Sequence, residues 1–323
     1  MHIDGGDKLK NLLLKLINLT FEHYSVPDLL KVGTLTPIYK NKGLMTESKN
    51  SREITITPPL SKIIETILKF RINGNILSVQ NPLQRGLTEN STSPILEEIE
   101  RENKDRKTPT IIGMLDAKSA FDVVRHTNLI RKLYHYRIST QSILLIDSLY
   151  RNATTKIKWK DQLSEEFKIE QGDRQGGTLS ADLYKIYINQ LLDLMQESNL
   201  GAKISNINCC APTCADDIAL AGSNPLDIQI LVNIASDYSA REAYTLQPTK
   251  SVIIPIKTCP KTTYDNENWY MNGKFLAKAE KAPHIGIQRD SKNSTLATIE
   301  ENLKKSRKAL YSLMGSGLHG RMV

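Results

Sequence analysis

The sequence predicts an α+β fold, with helices packed on one face of a mainly antiparallel sheet. Three observations lead there. Helical and strand-like apolar periods alternate along the chain without the strict strand-helix-strand rhythm that builds parallel sheets. Hairpin signals join neighbouring strand segments, among them Asn272-Gly273, a pair suited to a tight turn. No internal repeat or low-complexity tract is present.

The elements follow in order. After the Pro58-Pro59 stop, Leu60, Ile63, Ile64, Ile67, Leu68 and Ile72 form one stripe of a helix. Two more helical stretches, Asn128 to Arg137 and Ser142 to Tyr150, precede a hairpin in which Thr155 to Trp159 pairs with Glu166 to Ile169. Asn224 caps a further helix with Pro225 in its first turn, and that helix buries Ile228, Leu231, Ala235 and Tyr238. The tail, Leu296 to Met314, reads as helix, with Lys304, Lys305, Arg307 and Lys308 crowded away from its apolar stripe.

With 323 residues, 40% of them hydrophobic, the chain is long enough for one large or two ordinary buried cores. Lysine and arginine outnumber aspartate and glutamate by 43 to 35, a net charge of +8. That balance suits a polyanionic partner, and it suits a solvated basic face almost as well. Cys209, Cys210, Cys214 and Cys259 lack metal-ligand spacing and read as small buried hydrophobes in a reducing compartment. No signal peptide is read, and no apolar run approaches the roughly 20 residues that span a bilayer. The expectation is a cytoplasmic or nuclear protein without a membrane partner.

Two acidic sites stand out. Gly113 to Val124, GMLDAKSAFDVV, reads as a buried strand ending at Asp116, then a turn leading into a helix. A carboxylate at the end of an apolar strand is costly unless something cationic meets it. In TCADDIAL, Thr213 to Leu220, Asp216 and Asp217 sit side by side at a hairpin tip. At about 4 Å and an effective dielectric near 20, two such charges repel by roughly 4 kcal/mol, which a divalent cation relieves. Oxygen-only ligands select magnesium, which needs one or two carboxylates per ion. Two ions about 3.5 to 4 Å apart would clamp an in-line phosphoryl transfer. Taken singly, an Asp-Asp pair is most often a solvated turn, and Asp116 could be a helix cap.

In combination these pieces resemble the motif series of non-LTR, LINE-type retrotransposon reverse transcriptases. LDAKSAFD carries the first aspartate, Gln171 to Ser180 (QGDRQGGTLS) follows, and then comes the Ala215-Asp216-Asp217 hairpin. TPIYKNKG (Thr36 to Gly43), SREITITPPLSKIIETIL (Ser51 to Leu68) and LQRGLTENSTSP (Leu83 to Pro94) are similar to the fingers motifs. LQPTKS (Leu246 to Ser251) and HIGI (His284 to Ile287) are similar to the last palm motifs. The resemblance implies a right-hand polymerase with fingers over residues 1–106, a palm over 107–290 and the start of a helical thumb over 291–323. It implies an RNA-directed DNA polymerase that takes an RNA template, a DNA primer and deoxynucleotides.

Residue by residue, the resemblance implies that Asp116, Asp216 and Asp217 hold two Mg2+ ions. It makes Phe121 the aromatic wall that rejects a ribose 2′-hydroxyl, and a planar ring there offers that oxygen neither room nor a hydrogen bond. Gln171 and Gly172 line the nucleotide pocket. Arg174 and Gln175 line it or brace the loop. Arg52 meets the triphosphate, as a guanidinium fork suits phosphate oxygens. Lys250 donates a proton to departing pyrophosphate, with a salt-bridging surface lysine as the competing role.

Departures from the family pattern give further expectations. Asp173, in place of a small apolar residue, adds negative charge beside the pocket. Leu87-Thr88 replaces a Phe-Arg pair, a contact that Arg85 could take over, and His284 replaces an aromatic or leucine. Asp122 is expected to be structural, at a helix start. No segment reads as an endonuclease, and the expectation is a fragment or decayed copy of an element. A viral RNA-dependent RNA polymerase fits Phe121 poorly, since it needs a polar group there. The rival outside catalysis is a silent nucleic-acid-binding relic.

Overall fold

A computed structural model describes residues 6–41, 43–44, 46–47, 50–84, 93–174, 176–256, 264, 266–284, 287–291, 299–300, 303–304 and 306–307. The expected tail helix lies largely outside the described residues, as do Arg85, Leu87, Thr88, Gln175 and Cys259. The chain forms two compact units, one of Met1–Asn81, Ser119–Gln190 and Glu242–Tyr244, the other of Pro82–Lys118, Leu191–Arg241 and Thr245–Val323.

The first unit is built on a mixed sheet. Strand Val32–Tyr39 pairs antiparallel with Ser51–Ile56 and parallel with Thr154–Trp159. Thr154–Trp159 continues the sheet through Gln162–Leu163 and Phe167–Lys168, and the register sets Thr155 opposite Phe167, so the expected hairpin is present. Helix Pro59–Val79 starts behind Pro58 and buries Ile64, Leu68, Ile72 and Ile76. Ile63, read as part of that stripe, is exposed. Steps of four residues keep one face, whereas Ile63 lies about 100° round the helix from Ile64. Helices His126–His135 and Thr140–Tyr150 each begin about a turn-half earlier than the apolar pattern suggests, and Ser139 caps the second by accepting from the Ser142 amide at 3.4 Å. Lys132, nearly fully buried, is held by the buried Glu242 carboxylate at 3.1 Å.

The second unit holds a five-stranded sheet in the order Ala277–Lys278, Val252–Ile256, Thr110–Leu115, Asp217–Gly222, Thr213–Cys214. Only the pairing of Val252–Ile256 with Ala277–Lys278 is parallel. All six residues of Thr110–Leu115 are buried, so this strand is covered on both faces. On one face Ile112, Met114, Ala219, Ala221, Ile254 and Ile256 pack with Leu96 and Ile99 of helix Ser93–Asp105. On the other, Gly113 lies against Leu220 and Ile253, and Gly222 against Ile228 of helix Pro225–Glu242. The α+β prediction therefore holds, with helices on both faces of this sheet rather than one. Ile228, Leu231, Ala235 and Tyr238 are buried as expected, and the Asn224 side chain accepts from the Leu226 amide at 3.0 Å. Asn272 and Gly273 have φ of +50° and +72°, the left-handed pair that a tight hairpin between Tyr270–Met271 and Lys274–Phe275 requires.

His284 ends strand Lys281–His284 in the core of this unit, and among the described residues neither ring nitrogen has a hydrogen-bond partner. Burial first, then the Arg289 charge, depress its pKa to about 4, so the ring is neutral and serves as a poor apolar filler. A folded pKa below the unfolded value means that its contribution is present above about pH 6.5 and is lost as pH falls towards 4, a change of about 3 kcal/mol. Buried Glu100, also facing Arg289, acts in the opposite sense. Burial raises it to about 7, so its contribution is lost as pH rises from about 4.5 to 7. Thermal melts of His284→Leu should therefore show a higher Tm than the unmodified chain, with the larger gain at pH 4.5 than at pH 7.5. An equal gain at both values would contradict the assignment of the acid limb to His284.

Candidate active site

The second unit brings the three predicted aspartates to one end of its sheet. Asp217 begins strand Asp217–Gly222, whose register with Thr110–Leu115 sets Ile218 opposite Leu115. One step further along that register puts Asp217 opposite Asp116. Asp217 also pairs with Cys214, which leaves Ala215 and Asp216 as the two-residue tip of the hairpin. Ala215 has a φ of +55°, an uncommon conformation for a residue with a Cβ, worth about 1–2 kcal/mol. Buried Gln84 holds it there: its Oε1 accepts from the Ala215 amide at 3.0 Å, and its Nε2 donates to the Ala215 carbonyl at 3.3 Å.

The LQPTKS segment wraps Asp116. The Asp116 amide donates to Ser251 Oγ at 3.0 Å, its carbonyl accepts from the Gln247 amide at 2.8 Å, and Gln247 Nε2 donates to its Oδ2 at 2.8 Å. Lys250 Nζ lies 3.8 Å from the same Oδ2. Lys250 thus forms a salt bridge, as its competing reading held, but with a residue of the acidic cluster itself. A single exposed pair contributes little to stability, so the location matters more than the bond. Burial, then the charges of Asp216 and Asp116, raise the Asp217 carboxyl above the ordinary range. Converging negative charge adds to that shift, and a bound cation would relieve it.

Among the described residues, no three His, Cys, Asp or Glu side chains close into a ready-made metal cage. The Asp116 carboxylate is engaged by Gln247 and Lys250 instead. A divalent ion that keeps waters and substrate phosphates in its shell needs few carboxylates from a protein.

The other predicted residues lie in the first unit. Gln171, Gly172, Asp173 and Arg174 line a cleft of about 290 Å3 together with Asp122 and Lys168. Gly172 has a φ of +96°, and a Cβ there would meet the Asp122 carbonyl at 2.9 Å, so this position requires glycine. Its amide donates to Val124 O at 2.7 Å, while the Asp173 amide donates to Phe121 O at 2.7 Å. The Phe121 ring stacks on Tyr184 with centroids 4.5 Å apart. Arg174 is buried and donates to the carbonyls of Lys31 at 2.8 Å and Leu149 at 3.4 Å, which is the bracing role. Arg52 is exposed on strand Ser51–Ile56, opposite Ile38. Gln175 is outside the described residues.

Two expectations change. Asp173 does not present an open charge to the cleft: it is 3% exposed, accepts from the Tyr150 hydroxyl at 2.6 Å, and is raised to about 6 by burial. Asp122 sits in a turn closed by its amide on Ser119 O, and the next helix starts only at His126. Sequence reasoning missed Gln84, Gln247, Ser251 and Tyr150. Each acts through a partner distant in the chain or through a backbone group, and such partners leave no periodic signal.

Residues 38–280 match the protein family described as reverse transcriptase (RNA-dependent DNA polymerase). The Retrovirus-related Pol polyprotein from type-2 retrotransposable element R2DM of Drosophila melanogaster is 24% identical over 288 residues, which are 85% of this chain and 27% of that protein. The Retrovirus-related Pol polyprotein from type-1 retrotransposable element R2 of Popillia japonica is 25% identical over 247 residues, 74% of this chain and 34% of that protein. The chain therefore spans between 27% and 34% of the length of these curated relatives. Among solved structures, apo telomerase from Candida tropicalis, truncated from its C-terminal domain, is similar with a TM-score of 0.56 at 15% identity, covering 88% of this chain and 59% of that one. Telomerase from Candida albicans in complex with the TWJ fragment of telomeric RNA is similar with a TM-score of 0.54 at 12% identity, covering 85% and 48%. Both share the fold.

The electrostatics of the cluster give a direct test. Asp216→Asn removes one of the charges that raise Asp217, so without divalent ions the variant should melt at a slightly higher temperature than the unmodified chain. Millimolar Mg2+ should raise the Tm of the unmodified chain and leave the variant nearly unmoved. A magnesium shift of equal size in both proteins would remove Asp216 from the metal site.

Proposed function

Because the chain belongs to the reverse transcriptase (RNA-dependent DNA polymerase) family, we propose that it copies RNA into DNA as the polymerase region of a non-LTR retrotransposon protein. The observation that carries this reading is the strand register that sets Asp116 opposite Asp217, next to Asp216. Its partners are an RNA template, a DNA primer and deoxynucleotides. No described helix is long and apolar enough to cross a membrane, and we assign the chain to the nucleus, the cytoplasm or both. In this reading the fingers span residues 1–106, the palm 107–290 and the start of the thumb 291–323.

Asp116, Asp216 and Asp217 would hold two Mg2+ ions, which when bound supply the charge that activates a primer 3′-hydroxyl and stabilises the phosphate undergoing transfer. The chain's own residues do the rest. Phe121 bars a ribose 2′-hydroxyl by sterics and by offering it no hydrogen bond. Gln171 and Gly172 line the nucleotide pocket, and Arg174 braces their loop. Arg52 binds triphosphate oxygens through its guanidinium fork. Lys250, exposed and beside Asp116, supplies a proton to departing pyrophosphate. Most of the acceleration comes from positioning and preorganised charge.

Purified protein supplied with Mg2+, a primed RNA template and deoxynucleotides should extend the primer, and Asp216→Ala should lower that rate about 100-fold or more. An unmodified chain that binds template and adds no nucleotide with any divalent ion would instead be the silent relic of such an element.

A further inference from the structure

Within the first unit, one residue joins two elements through different groups. The Asp173 amide donates to Phe121 O at 2.7 Å, while its side-chain Oδ1 accepts from the Tyr150 hydroxyl at 2.6 Å. Tyr150 is the last residue of helix Thr140–Tyr150, a buried element of this unit. The neighbouring contacts run the same way. Gly172 N donates to Val124 O at 2.7 Å, His126 Nε2 contacts Gly172 O at 2.9 Å, and the His126 ring lies 4.5 Å from that of Tyr150. The turn that carries Phe121 is thus zipped to Gly172 and Asp173, and Asp173 is tied in turn to a helix.

The tie is an expensive one. Asp173 is 3% exposed, so its carboxyl group is withdrawn from solvent. A small apolar side chain would fill this place without the desolvation cost of a carboxylate, so packing alone does not call for an acid here. What the acid adds is direction: it fixes the peptide whose amide holds Phe121. Burial first, and then the Asp173 charge, raise Tyr150 well above its ordinary value, so the phenol keeps its proton and remains the donor.

We propose that Tyr150 and Asp173 are positioning residues for the aromatic wall at Phe121, and that their hydrogen bond sets how sharply the chain discriminates deoxynucleotides from ribonucleotides. The proposal rests on the polymerase reading above. Neither side chain needs to touch the nucleotide, since both act through the backbone of residues 121–124 and 172–173.

The test uses the full chain and four proteins: unmodified, Tyr150→Phe, Asp173→Asn and Leu145→Ala. Leu145 is buried in the same helix and does not line the cleft, so its variant matches the loss of stability without removing either partner of the tie. Tyr150→Phe should raise the KM for deoxynucleotide, lower the deoxy-to-ribo ratio of kcat/KM about tenfold and speed amide exchange at Gly172 and Asp173. Asp173→Asn, which still accepts from the phenol, should keep most of the discrimination. Leu145→Ala should lower the Tm and change neither ratio nor local exchange. The proposal is overturned if Tyr150→Phe behaves like Leu145→Ala in ratio and exchange. Should the unmodified chain extend no primer, the polymerase reading fails on its own terms. The exchange measurement then still decides the coupling, with faster exchange in Tyr150→Phe upholding it and unchanged exchange refuting it.

Discussion

The antiparallel pairing of Thr110–Leu115 with Asp217–Gly222 is the constraint on which the candidate chemistry depends. Both strands are apolar over most of their length, and both are buried. Side chains alternate faces with a period of two, so a slip of one residue would turn Ile112, Met114, Ala219 and Ala221 away from helix Ser93–Asp105. The same hydrophobic register that builds the core therefore places Asp116 and Asp217 across from each other at the strand ends. Repulsion between the carboxylates is carried by the burial of the strands behind them.

Around that pairing, polar side chains fix what hydrophobic packing leaves loose. Gln84 holds the left-handed Ala215 at the hairpin tip from both its amide and its carbonyl. Gln247 and Ser251 hold Asp116 from the segment that also carries Lys250. In the other unit, Glu65 accepts from the Thr178 amide at 2.6 Å and Arg174 donates to two carbonyls, so the loop after Gln171 is held at several points. Buried polar groups of this kind cost solvation and return a single geometry, a trade commonly met where a site must be preorganised.

Much of this was legible in the residues. The helix after Pro58-Pro59, the Asn224-capped helix and the Asn272-Gly273 turn follow from local rules of capping, period and turn chemistry, and each was found. The strand ending at Asp116 and the hairpin tip at Asp216 were legible for the same reason. Ile63 is exposed because a run of isoleucines and leucines fills more of the helix surface than one face can bury. The parallel pairing of Val32–Tyr39 with Thr154–Trp159 joins segments more than a hundred residues apart, and no local rule signals it. That Asp173 is shielded rather than an open charge is invisible in the sequence, because its partner, Tyr150, lies on a helix whose position only folding sets.

The sequence by itself determined the helix after Pro58-Pro59, the Asn224-capped helix, the Asn272-Gly273 turn and the acids at the strand ends, since these depend on neighbours a few positions away. The tertiary structure alone decided that Asp116 faces Asp217, that Arg174 braces backbone carbonyls, and that Asp173 is shielded by a phenol. Those outcomes depend on burial and on hydrogen bonds between distant segments, and such bonds have directions that no pattern of residue types encodes.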